Sequence, residues 1–237
     1  MKLTFEHGGT KLQMMKDGQV IERSVNAEDA ISIISKSDVF DTGLLPPNTR
    51  AFVKSNNQLA LVIEVPAGKH KIAIQHDHTD MNMRRMEIKD VPLPAAALFL
   101  KIGRTGSGTG FKLHTAYVYA LKQGLLSLKD PLFLYPVPNV QEGQTICWGF
   151  DSKAATNYNY HSVASFEGAA SMFLSAAFND HCFTKSRLSK TFEWGGLSER
   201  VVEKYFEKLR DAGSFSDSWL VPANKTFEDA LKIIAPK

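Results

Sequence analysis

The 237-residue chain predicts an α+β fold, an antiparallel β-meander packed on C-terminal helices. Three observations carry that expectation. Short alternating segments separated by turn signals fill the first half, and the span from Lys129 to Trp148 is irregular and broken by Pro131, Pro136 and Pro138. The last third has apolar residues at helical spacing. No internal repeat or long linker divides the chain, so one α+β unit is expected. Residues 1–50 read as an N-terminal strand and helix extension, and 51–237 as the main domain with its C-terminal helices.

At the start, "KLTFEH" and "KLQMMKDGQVIERSV" (11–25) surround Gly8-Gly9 and Asp17-Gly18, turn signals between strands. "NAEDAISIISKS" (26–37) switches to helical spacing, with Asn26 and Asp29 as an N-terminal cap pair. After Pro46-Pro47, "RAFVKS" and "QLALVIEVP" flank Asn56-Asn57 as a hairpin, followed by strands in "KHKIAIQ" (69–75), "LPAAALFLKIG" (93–103) and "FKLHTAYVYALK" (111–122). The Gly-rich "GRTGSGTG" (103–110) lacks a following Gly-Lys-Ser/Thr and a helix, so it reads as a hairpin tip rather than a phosphate loop. Helices are expected over 162–178, over 198–213 between Ser198 and the terminating Gly213, and over 226–235 behind a Thr226/Asp229 cap.

Composition excludes several function classes. With 43% hydrophobic residues the chain can bury a real core and is not a disordered segment. Twenty-eight basic and 25 acidic residues nearly cancel, which argues against a nucleic-acid binder. No uninterrupted apolar run resembles a signal peptide or a membrane span, and two cysteines are too few for a disulfide framework. A cytoplasmic protein with reduced thiols, using no cofactor, is therefore expected. His76-Asp77-His78 offers two imidazoles at one strand face but no further ligands at zinc spacing, so no metal site is expected.

The stretch "PNVQEGQTICWG" (138–149) is where chemistry is concentrated. A reactive thiol must be reachable and must have a donor nearby for charge developing on its substrate. An irregular Pro-rich segment can hold Cys147 at the surface, and the Asn139 amide on the same segment can donate to an oxyanion. Eight positions separate the two, with Gly143 between them to let the chain turn. The plainer readings are a small buried Cys147 between Ile146 and Trp148, and an Asn139 that satisfies its own turn. Cys182, in "FNDHCFTK", reads as structural, and Asn179-Asp180-His181 as a helix C-terminal cap.

"VPNVQEGQTICWG" resembles the active-site segment of ubiquitin-conjugating enzymes, in which a His-Pro-Asn motif lies ahead of the catalytic cysteine. Pro138 and Asn139 match the motif, and Ile146-Cys147 match its end. With "FLSAAFNDHCFT", "VPLPAAALFLKI" and "VYALK" added, residues from about 91 to 184 look like the prokaryotic ubiquitin-conjugating family D, the PRTRC system protein B group. The resemblance implies a ubiquitin-conjugating-enzyme-like fold and a thioester of a ubiquitin-like protein on Cys147, with Asn139 as oxyanion donor. It also implies a ThiF-like activating enzyme and a JAB-type peptidase as partners encoded nearby, often on mobile elements. Two departures stand out: the motif histidine is Val137, and the Leu-Asp that follows the cysteine is Trp148-Gly149. A non-catalytic binding module of the same fold is the competing expectation, and a cysteine-dependent hydrolase ranks third.

Overall fold

The computed structural model describes residues 2–6, 9–16, 19–25, 45–55, 58–75, 86–105, 110–125, 127–148, 160, 162–179, 182, 187–188, 192 and 202–235. The helix expected over 26–37, Ser198 and the His76-Asp77-His78 turn lie outside these residues.

Nine of the described strands form one sheet. They are β1 (Lys2–Glu6), β2 (Gly9–Lys16), β3 (Gln19–Val25), β4 (Thr49–Ser55), β5 (Gln58–Val65), β8 (Ala95–Arg104), β9 (Phe111–Leu121), β10 (Pro131–Leu134) and β12 (Pro222–Thr226). Their order is β12-β10-β9-β8-β5-β4-β1-β2-β3, with every neighbouring pair antiparallel. The sheet therefore runs on through β1, which pairs with β4, into the first 25 residues. A second sheet joins β6 (Gly68–Ile74) to β7 (Met86–Leu93), with β11 (Ala177–Phe178) parallel to β6. The helices are α1 (Glu167–Ser175), α2 (Val202–Ala212) and α3 (Phe227–Ile234).

The central strands are apolar on both faces because both faces are covered. Leu59, Leu61 and Ile63 of β5 and Leu98, Leu100 and Ile102 of β8 share one core with the small sheet, α1 and α2. Ala60, Val62, Ala97 and Phe99 point the other way, against Phe227, Ala230, Leu231 and Ile234 of α3. The continuous runs "LALVI" and "AALFL" follow from that double cover. Fully burying a side chain such as Leu231 or Ile234 contributes about 1.5–3 kcal/mol, so α3 is firmly seated. Its capping box is formed as the sequence predicts: Asp229 N–H donates to the Thr226 hydroxyl while Thr226 N–H donates to the Asp229 carboxylate. At the end of α2, Gly213 takes φ 74° and donates to the Arg210 carbonyl, the expected glycine stop. Thr105 N–H to Gly110 O at 2.9 Å joins β8 to β9, so the Gly-rich stretch spans a hairpin connection.

Three expectations are corrected. Pro131–Leu134, expected inside the irregular span from Lys129 to Trp148, is instead the sheet strand β10. Pro131 is tolerated because it takes the first strand position, where its missing N–H matters least. The helix expected over 162–178 is a 3₁₀ turn (Ala164–Phe166) and then α1, which stops at the extended Ala176 so that 177–178 can pair with β6. Strands β7 and β12 were not expected. "MEIKDVPL" is interrupted by Lys89-Asp90 and Pro92, "PANKT" is polar, and each contains a residue at positive φ, Asp90 and Asn224, which hides their strand character. Among the described residues no helix is long and apolar enough to cross a membrane.

Candidate active site

Beyond Leu134 the chain leaves the sheet and returns as a tight hairpin over 139–147. Cys147 N–H donates to the Asn139 carbonyl at 2.6 Å, Gln141 N–H to Thr145 O at 2.8 Å, and Val140 bridges Ile146 between them. The returning arm lies along β9, with Ile146 N–H on Ala116 O at 2.9 Å and Val118 N–H on Gln144 O at 3.0 Å. The eight-position interval from Asn139 to Cys147 is thus a hairpin register that sets the two residues opposite each other. Along an extended arm side chains alternate. Ile146 and Trp148 turn inward, 4% and 7% exposed, and Trp148 meets Phe173 edge-on at 6.3 Å. Cys147 between them is only half-buried.

The turn is made differently from the expectation. Gly143 does not take a positive φ, and a β-carbon built on it would meet nothing within 4 Å. The left-handed residues are Asn139 at φ 63° and Gln144 at φ 68°. An Asn tolerates that conformation readily; a Gln does so only when held. Gln144 is held because its buried amide oxygen accepts Tyr135 N–H at 2.8 Å.

The Asn139 side chain is 2% exposed and bridges to another part of the chain. Its Nδ2 donates to Ala177 O at 2.8 Å and its Oδ1 accepts Asn179 N–H at 3.3 Å. One of the two amide N–H groups is therefore engaged. Asn179, expected to cap a helix, instead satisfies Asn139.

Val137, in the place of the motif histidine, is fully buried in the larger core. The polar ties around it come from far along the chain. Arg187, 3% exposed, donates from Nη1 to Tyr135 O at 3.4 Å and from Nη2 to Val140 O. The Tyr205 hydroxyl of α2 donates to Pro136 O at 2.5 Å. Burial pulls the Arg187 guanidinium below its ordinary pKa, opposed by Cys182, Glu142 and Tyr205. Burial likewise drives Tyr135 and Tyr205 upward, so both stay neutral hydroxyls. The sequence carried no signal for Arg187: "TKSRLSK" reads as a solvated basic stretch.

Cys182 is also misplaced by the sequence reading. It is half-buried and lies near enough to Cys147 to feel its charge. Burial and then the Cys147 sulfur raise the Cys182 pKa, with Arg187 opposing them. Far from lacking context, Cys182 adjoins the candidate nucleophile. The link runs through Asn139, which ties the 177–179 segment to the hairpin.

These features define an α+β domain with a half-buried cysteine on a Pro-Asn hairpin beside the sheet. The chain belongs to prokaryotic E2 family D, whose profile matches residues 27–223. No curated protein and no solved structure was found to match it. Membership gives a ubiquitin-conjugating-like function at the level of the family, and implies a ubiquitin-like protein and an activating enzyme as the general kinds of partner.

Proposed function

We propose that the chain is a transferase that carries a ubiquitin-like protein as a thioester on Cys147 and passes it to an amine. The observation that supports this most is the placement of Cys147: only half-buried on a hairpin whose neighbouring side chains turn inward, with its backbone tied to Asn139. In the charging step the Cys147 thiolate attacks the carbonyl of the activating enzyme's thioester, and that enzyme's thiolate leaves. In discharge a lysine amine attacks the new thioester, the Cys147 thiolate departs, and the amine loses a proton to solvent. Oxygen carries negative charge in both tetrahedral intermediates.

Asn139 enters in two capacities. Its bridge to Ala177 and Asn179 holds the arm opposite Cys147, and its second amide N–H is the donor assigned to the oxyanion. The bridge is the capacity that the geometry supports directly. A ThiF-like enzyme encoded beside it is the proposed source of the thioester, and a JAB-type peptidase the proposed processing partner.

The test is incubation of the protein with that activating enzyme, ATP and the ubiquitin-like protein. A reductant-sensitive adduct on a non-reducing gel is expected. Cys147→Ser should form an oxyester more slowly and hold it longer, and Cys147→Ala should form none. An adduct on Cys147→Ala overturns the assignment.

The second reading is a non-catalytic module of the same fold that binds a ubiquitin-like or operon-encoded partner. It is favoured by the fully buried Val137 and the engaged Asn139 amide. Binding without any adduct would select it.

A further inference from the structure

The flap that presents Cys147 is gripped by a buried cation that neither acyl-transfer step uses. Arg187 is 3% exposed and donates from Nη1 to Tyr135 O at 3.4 Å and from Nη2 to Val140 O. Among the described residues it forms no ion pair, and its Nε–H has no partner. For stability alone the choice is costly, because a buried charge without a counter-charge and a buried N–H without an acceptor both lose their hydration unrepaid. What a guanidinium supplies that an apolar side chain lacks is a rigid fork of donors at fixed spacing.

That fork spans the bend ahead of the cysteine hairpin. Tyr135 and Val140 lie on either side of Pro136, Val137, Pro138 and Asn139, and the Tyr205 hydroxyl takes the Pro136 carbonyl between them at 2.5 Å. The other end of the clamp is anchored in the frame. Leu188, next to Arg187, bridges Leu220, and the Val221 carbonyl that follows accepts Leu134 N–H at 2.9 Å, at the end of β10. On the flap side Val140 bridges Ile146, and the Asn139 carbonyl accepts Cys147 N–H at 2.6 Å. The guanidinium is thus linked to the Cys147 backbone through two adjoining hydrogen-bonded contacts.

We propose that Arg187 is a positioning residue for acyl transfer at Cys147. It touches no reacting atom and acts through Val140, fixing the 135–140 bend so that the Cys147 arm keeps its register against Asn139. The place of this role in biology rests on the transferase reading, but its effect on acyl transfer to the thiol can be measured without a partner protein. A displacement of reacting groups by about 1 Å can cost about 10²-fold in rate, which sets the size of effect expected.

The experiment uses the full chain and the aryl thioester of acetylglycine. The Cys147 thiolate attacks the thioester carbonyl, the aryl thiolate leaves, and acetylglycine remains on Cys147 as a new thioester, followed by intact mass and assigned by peptide mapping. Well below its own unfolding temperature, Arg187→Met should accept the acyl group about 10²-fold more slowly than the wild type. Arg187→Lys should be slower by at least about tenfold, since an ammonium is a point donor that cannot span both carbonyls. Neither variant should react more slowly than the wild type with iodoacetamide at Cys147, a displacement that forms no oxyanion. A merely structural role would not split the two reactions in this way. If Arg187→Met fails to fold, Tyr205→Phe carries the test: it removes the donor to Pro136 O and should slow acyl transfer severalfold without slowing alkylation. Acyl transfer at the wild-type rate by the folded variants overturns the proposal, as does alkylation that falls in step with it. A wild type that accepts acetylglycine yet gains no adduct from the activating enzyme counts against the transferase reading alone.

Discussion

The central strands and the 135–148 flap touch each other, yet different forces hold them. In β5, β8 and β9 the backbone is satisfied along neighbouring strands, with one register shift at Lys101/Ile102, and side chains add burial on both faces. In the flap the carbonyls of Tyr135, Pro136 and Val140 are satisfied by the side chains of Arg187 and Tyr205, while Asn139 reaches Ala177 and Asn179. A ladder tolerates the loss of any one side chain. A flap tied by side chains depends on them more, because the Pro136 and Val140 carbonyls are each held by a side chain from far along the chain. The difference teaches that candidate-site geometry here depends on residues 177–205 as much as on the motif itself.

The motif histidine illustrates the point. Position 137 faces the core and carries an apolar side chain, while the flap carbonyls on either side are held by Arg187 and Tyr205. The departure at Val137 is thus accompanied by other means of fixing the segment.

The comparison can be broken at several places. The largest expected effect is at Asn139. Asn139→Ala should charge but discharge onto lysine about 10²–10³-fold more slowly if its free N–H serves the oxyanion. If the residue acts only as a bridge, single-turnover discharge of pre-charged protein should stay near the wild-type rate while the melting temperature falls.

Arg187→Met should cost about 1–3 kcal/mol in chemical denaturation, since it strips a donor from the buried Val140 carbonyl. Hydrogen exchange locates the damage: Gln141, Ile146 and Cys147 amides should exchange faster while amides of β8 and β9 keep their protection. Equal loss in both regions would erase the distinction between ladder and tie.

Tyr205→Phe removes the neutral hydroxyl that donates to Pro136 O, so about 0.5–1.5 kcal/mol is expected from the same unfolding measurement. The smallest effect is assigned to Gly143→Ala. With no positive φ to relieve and open space around it, stability should shift by less than about 0.5 kcal/mol. A loss of several times that would return Gly143 to the role that the sequence suggested.

Much of the framework was legible before any coordinates. "QLALVIEVP", "LPAAALFLKIG" and "FKLHTAYVYALK" are strands because their apolar runs and turn signals are local properties. The Thr226/Asp229 capping box and the Gly213 stop were equally readable, since each is satisfied within a few residues. Strands β7, β10 and β12 were not, for they depend on a partner that supplies the pairing and tolerate Pro or left-handed residues at their ends and bulges.

At the candidate site the division is sharper. The sequence by itself determined the Asn139-to-Cys147 interval, because a hairpin register is set by counting residues across one turn. It also determined that Cys147 lies between two large apolar neighbours, while their inward turn and the partial exposure of the thiol were decided by the fold. Only the tertiary structure decided that Cys182 lies near enough to Cys147 to feel its charge, that Arg187 is buried against the flap carbonyls, and that Gln144 rather than Gly143 takes the left-handed turn. The physical reason is the same in all three cases. Each depends on a contact between segments whose separation along the chain carries no periodicity, and such contacts are selected by how two buried surfaces satisfy one another's polar groups.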